Sequence, residues 1–174
     1  MKTVSLRSKL SLLTVSLLVI LSLAASGKTQ AKKEITIGRI ENVILLPWGI
    51  KLPARIDTGA TISSLDAREL HVEGDTVEFN LPGKYYGSKL KFPIVDWHHV
   101  RSPGSKQRRP VVELELCIGS QKIRTRVNLT DRSMVKYPLI LGRNILREGF
   151  VVDVKRSKIV RPACPDDTSL PTSK

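Results

Sequence analysis

Histidine, cysteine and aromatic residues are all scarce in this chain, and each shortage narrows what it does. The three histidines, His71, His98 and His99, provide no H-E-x-x-H, and a catalytic zinc site takes about three protein ligands with an open position for water. Adjacent residues of an extended segment point to opposite faces, so His98 and His99 are expected as loop residues rather than as a ligand pair. No G-x-x-x-x-G-K-[ST] loop occurs, which leaves ATP without an evident seat. Neither a metal nor a cofactor is therefore expected. Aromatic residues make up 5% of the chain, and no arginine-rich helix or aromatic-interleaved basic patch points to nucleic acid. There is no internal repeat and no sign of a second domain.

Basic charge is abundant instead. The 174 residues carry a formal net charge of +13, and their number suits one domain with a core and a tail or two. Lys2, Arg7 and Lys9 precede the uncharged run LSLLTVSLLVILSLAA (Leu10 to Ala25), and the small residues Ala24, Ala25, Ser26 and Gly27 close it. A basic start, an apolar centre and a small-residue end are the parts of a secretory signal peptide. The run is also shorter than the roughly 20 residues of a membrane-spanning helix. The expectation is a signal peptide over 1–26, a polar lead-in over 27–34, one domain over 35–160 and a flexible tail over 161–174. That places the protein in the periplasm or outside the cell. The alternative is an uncleaved segment holding it to the membrane and facing the periplasm. Without Lys2, Arg7 and Lys9 the charge falls from +13 to +10, a surplus that serves solubility or attracts an acidic substrate or polymer. Cys117 and Cys164 both lie in the exported part. Thiols in an oxidising compartment often pair, but the sequence leaves that pairing open.

The pattern along the domain is that of strands. ITIGRIENVILLP (Ile35 to Pro47) is rich in β-branched residues, and IKLPARID ends at Asp57. ISSLDARELHVEGDTVEFNL reads as strand, turn and strand about Gly74-Asp75. VVELELCIG and KIRTRVNL alternate with period two around Gly119-Ser120, the pattern of a β-hairpin. The apolar YPLILG should be a strand, RNILREG one or two helical turns stopped by Gly149, and FVVDV with SKIV a closing strand pair. HHVRSPGSKQRRP has no apolar periodicity and is expected as a mobile loop or hairpin tip.

The chemistry concentrates in Asp57, Thr58, Gly59 and Ala60, which close the apolar strand and are followed by TISSL. An Asp-Thr-Gly is often a plain turn, with the carboxylate bonded to nearby amides. Here a second apolar strand, Leu139 to Leu141, runs into Gly142, Arg143 and Asn144.

IDTGA followed by LILGRNIL resembles the retropepsin-type aspartic peptidases. LPARIDTGATISSLDA, VRSPGSKQRRPVV, VNLTDRSMVKYPLILGRNIL and FVVDV are similar, in order, to a bacterial retropepsin-like family often labelled as ATP-dependent zinc proteases, whose members are frequently encoded near ATP-grasp enzymes of the glutamate-ligase type. The resemblance runs from about Ile35 to Val160. It implies an all-β, closed retropepsin-like barrel with one short C-terminal helix. The chain departs from the family at Asp66, where many members have His, and at Gln107, where many have Glu.

Aspartic peptidases work with two carboxylates around one water, and this chain has a single D-T-G. The resemblance implies that two copies meet about a two-fold axis and bring both Asp57 residues together. Thr58 then bonds across the axis, Gly59 lets the loops approach, and Ala60 keeps the rear of the loop small. Ile56, Ile140 and Leu141 form the wall, and Gly142 lets the backbones pass. Arg143 either locks the loop from behind or is a solvated residue at a helix start, with Asn144 beside it. The segment holding Arg101, Ser102, Pro103 and Gly104 is a candidate flap or an exposed loop. The expected function is that of an exported homodimeric aspartic endopeptidase acting on a peptide or protein, an acidic one in the sharper reading of the charge. The alternatives are a peptide- or anionic-polymer-binding domain on the same fold and an amidase for glutamate-linked or cell-wall peptides.

Overall fold

The structure, a computed structural model, describes residues 34–85, 87, 89–102 and 105–164. The expected signal segment, the lead-in before Glu34, Pro103 and Gly104 of the candidate flap, and the tail beyond Cys164 lie outside the described residues. Strands β1 (Ile35–Gly38), β2 (Ile40–Leu46), β3 (Ile50–Ile56), β4 (Ser63–Asp66), β5 (Arg68–Glu73), β6 (Thr76–Asn80) and β7 (Lys89–Pro93) come first. They are followed by β8 (Asp96–Ser102), β9 (Ser105–Ile118), β10 (Gln121–Thr130), β11 (Leu139–Leu141), helix α1 (Arg143–Leu146) and β12 (Phe150–Asp153).

Strands β10, β4, β11, β3, β2 and β9 are neighbours in that order, and β9 pairs again with β10, so they close a retropepsin-like barrel. Strand β8 extends β9 as the outer arm of a long hairpin. Period-two alternation builds the wall. In β3, Ile50, Leu52, Ala54 and Ile56 are buried while Lys51 and Arg55 face outward. With Val43, Leu45, Leu65, Leu116, Val127, Leu139 and Leu141 they fill the core, each large side chain contributing about 1.5–3 kcal/mol of burial. Strands β5, β6 and β7 form a separate three-stranded sheet.

Two expectations are corrected. FVVDV does not pair with SKIV: β12 runs parallel to β1, with Ile35 opposite Phe150 and Gly38 opposite Asp153. Residues 157–160 are instead strapped down without a ladder. The buried Glu41 carboxylate accepts the amides of Ile159 and Val160 as well as that of Gly38, and Lys158 donates its amide to Ile40. A buried carboxylate accepting several amides is a stronger tether for so short a segment than an edge ladder. Second, His98 and His99 sit in β8 rather than in a loop, opposite Arg109 and Arg108. The basic segment forms strands because β9 continues without a break from the apolar VVELELCI into the hairpin arm. The cysteines settle what the sequence left open: Cys117 and Cys164 form a disulfide.

Candidate active site

Asp57 leaves β3 beside the end of β11, where its amide donates to the Leu141 carbonyl at 3.0 Å. The chain then turns back on its own carboxylate. Oδ1 accepts the amides of Gly59 at 3.0 Å and Ala60 at 3.2 Å, a local bonding pattern that holds the loop without a strand partner. Asp57 is half-buried, whereas Thr58 and Gly59 are exposed. The carboxylate therefore stands at the tip of a rigid loop that opens to solvent.

The support comes from the residues after β11. Gly142 leaves no room for a side chain: a Cβ there would lie 2.8 Å from the Ile62 carbonyl carbon and 3.0 Å from the Ala60 oxygen. Arg143 reaches over the loop, donating from Nη1 to the carbonyls of Thr58 (2.9 Å) and Gly59 (2.8 Å) and from Nη2 to Thr61 Oγ1 (3.0 Å). Its amide donates to Ala60 and that of Asn144 to Thr61. Asn144 Oδ1 accepts from the Ser63 amide and hydroxyl, while its Nδ2 donates to Thr125 Oγ1 and the Arg126 carbonyl. Among the wall residues, Ile56 and Leu141 are buried in the core, while Ile140 is half-exposed, in register with the outward Arg55.

Sequence reasoning missed part of this support. Ser63 donates to Asn144 and accepts the Gly142 amide at 3.0 Å, and Asn128 bonds Ser64 Oγ and the Ser63 carbonyl. The available signal was a pair of serines directly after the loop, in a strand buried at every position.

A group of arginines was missed as well. The Arg132 guanidinium, in the β10–β11 connection, is held below the usual arginine value, chiefly by loss of water. Asp66 and Asp57 oppose that shift, while Arg109 and Arg55 reinforce it. Arg109 is also lowered by burial. The Arg132 guanidinium thus lies in the combined field of Asp66, Arg109, Arg55 and Asp57. Arg109 is steadied by Gln107, whose Oε1 accepts its Nε (2.9 Å) and Nη2 (2.7 Å). In the same hairpin Arg108 lies over the Trp97 ring at 3.8 Å. Arg101 and Ser102 belong to β8, with Ser102 facing Ser105 across the hairpin end.

An open groove of about 390 Å³ adjoins the loop, lined by Thr58, Arg143, Leu146, Phe150 and Val152.

Residues 36–163 match the RimB-like family, described as the retropepsin-like aspartic endopeptidase RimB. The chain belongs to this family. Among solved structures, it is similar to Lpg0085 of Legionella pneumophila, a protein of unknown function, with 30% identity over 72% of this chain and 98% of that one and a TM-score of 0.62. It is also similar to the protease of simian foamy virus, with 15% identity over 62% of this chain and 91% of that one and a TM-score of 0.40. No curated protein matches.

Proposed function

We propose that this RimB-like protein is an exported, homodimeric aspartic endopeptidase whose catalytic water lies between the Asp57 carboxylates of two subunits. The observation that carries the reading is a single Asp-Thr-Gly loop, locked from behind by Arg143 and Asn144 and open in front. Two carboxylates held about 3 Å apart cannot both ionise, so the pair shares a proton. The charged member takes a proton from the water, and the protonated one donates to the scissile carbonyl. With Oδ1 engaged by two amides, Oδ2 is the oxygen that meets the water. Thr58 bonds across the axis, and the β8–β9 hairpin, whose strands reach Ser102 and Ser105, closes over the substrate.

The second copy docks beside the groove next to Thr58. The β1–β12 sheet has only two strands there and carries the exposed Val151, an edge suited to isologous pairing. The basic surface, to which Arg55, Arg109 and Arg132 belong, favours an acidic peptide. The disulfide supports an oxidising destination, the periplasm or outside the cell.

The same arginines would equally serve a binding domain that hydrolyses nothing. A peptide-library assay with wild type and Asp57→Asn, run from acid to neutral pH with and without a chelator, separates the two. The peptidase reading requires cleavage by wild type alone, unaffected by the chelator. Cleavage that persists in Asp57→Asn ends it.

A further inference from the structure

Arg55 stands two residues before Asp57, and the reaction proposed above makes no use of it. In β3 it faces outward between the buried Ala54 and Ile56. The ladder does not stop at the end of that strand. Ile56 is in register with Leu141, and the Asp57 amide donates to the Leu141 carbonyl at 3.0 Å. Period-two alternation therefore carries on to Asp57 and sets it on the same side as Arg55, about 7 Å away along the backbone. Arg55 is exposed and Asp57 half-buried, so this side is open to solvent. Across the strands Arg55 is in register with Ile40 of β2 and Ile140 of β11, both half-exposed. Among the described residues no hydrogen bond or ion pair engages the Arg55 guanidinium. Its neighbours in the fold differ: Arg143 holds two loop carbonyls, Arg68 forks onto Asp66, and Arg109 is bonded to Gln107.

We propose that Arg55 is a specificity-determining residue: its guanidinium receives the carboxylate of a substrate side chain adjoining the scissile bond. This rests on the acidic-peptide reading above and goes beyond it by naming the group that reads the charge. An exposed arginine without a partner is ordinarily just solvated. This one shares its strand and its face with the candidate catalytic carboxylate, in a cross-strand row with two isoleucines. An extended peptide passing Asp57 carries its residues about 3.3 Å apart, so a side chain next to the bond under attack comes within reach of Arg55. A planar fork takes a carboxylate through two parallel bonds. Two-fold pairing sets one Arg55 on each side of the shared water, so the reading extends to both residues joined by the bond.

The test reads binding in an Asp57→Asn background, so that hydrolysis plays no part. The probes are fluorescein-labelled peptides of one sequence with a pair of glutamates, glutamines or lysines at the centre. The parent should bind the glutamate peptide at least about tenfold more tightly than the glutamine one. Arg55→Gln should bring these two affinities to within about threefold, with little change for the glutamine peptide. Arg55→Glu should bind the lysine peptide more tightly than the glutamate one. Both changes are made on an exposed side chain and leave the core untouched. Lys51→Gln removes the same charge from the same face of β3, four residues further from Asp57, and should keep the preference. Equal weakening of all three peptides, a preference retained in Arg55→Gln, or one lost equally in Lys51→Gln overturns the proposal. A parent without preference removes the acidic-peptide reading and this inference together, while leaving the Asp57 chemistry to its own assay.

Discussion

The Arg143 guanidinium lies 2.9 Å from the Thr58 carbonyl and 2.8 Å from that of Gly59, spanning the loop from a helix 84 residues further along the chain. A planar fork suits this task because it meets two carbonyls and the Thr61 hydroxyl at fixed angles. Lysine keeps the charge and loses the fork. Arg143→Lys should cost about 2–3 kcal/mol in urea unfolding, one to two charge-assisted bonds, and should lower kcat/KM by at least about 100-fold as the loop drifts. Full activity at wild-type stability would show that the loop holds itself.

Asp57→Asn separates chemistry from folding. An asparagine Oδ1 still accepts the Gly59 and Ala60 amides, so the melting temperature should stay within about 3 °C of wild type, less than about 1 kcal/mol. Hydrolysis should fall by at least about 10³-fold with the acid–base pair gone. Mixing gives a second reading. In an equimolar mixture with wild type, random pairing leaves about a quarter of dimers with both carboxylates, so activity per wild-type subunit should drop to about half. An unchanged activity per wild-type subunit would mean that one chain suffices.

Glu78 gives a pH test far from the site. It lies between Lys89 (2.7 Å) and Lys91 (3.0 Å) on the β5–β6–β7 sheet, and these partners lower its pKa to about 2 from an ordinary 4.5. A folded-state value below the unfolded one means that the pair stabilises fully above pH 4.5 and that this is lost as pH falls toward 2. The difference in urea midpoint between wild type and Glu78→Gln should be steady near neutrality, shrink below pH 4.5 and vanish near 2. Added salt should reduce it throughout, since the pair is at the surface. A difference that grows in acid would reverse the assignment.

Most of the barrel was legible because its strands are one-sided: Ile50, Leu52, Ala54 and Ile56 alternate with outward residues, and VVELELCI does the same. The Asp57 loop and the strand leading to Gly142 were legible as short motifs of unusual composition. Three things were not. The β1–β12 pairing is parallel and joins the two ends of the domain, and nothing local in either segment encodes a partner so distant. The Glu41 tether was hidden because the outward positions Ile40, Ile44 and Leu46 of its strand are as apolar as the buried Val43 and Leu45, so composition does not tell which face Glu41 joins. Arg132 looked like an ordinary basic residue, since its loss of water and the influence of Arg55 and Arg109 on it arise only in the folded chain.

The disulfide sets the last expectation. Cys117, near the end of β9, is joined to Cys164 across a separation of 47 residues, and the Ala163 amide donates to the Gly119 carbonyl beside it. Closing a loop of that length removes about 4 kcal/mol of chain entropy from the unfolded state. Glu41 still holds Ile159 and Val160, so opening the bond frees the last residues of the strap and leaves β12 in place. A double Cys117→Ser, Cys164→Ser variant should therefore melt roughly 10 °C lower than oxidised wild type, and reductant should bring wild type down by the same amount while leaving the variant unmoved. Activity well below either melting point should be the same in all three samples, because the bonds that hold the Asp57 loop come from its own amides, Arg143 and Asn144 rather than from the strap. A loss of hydrolysis on reduction at a temperature where the barrel is fully folded would show instead that the C-terminal strap supports the site.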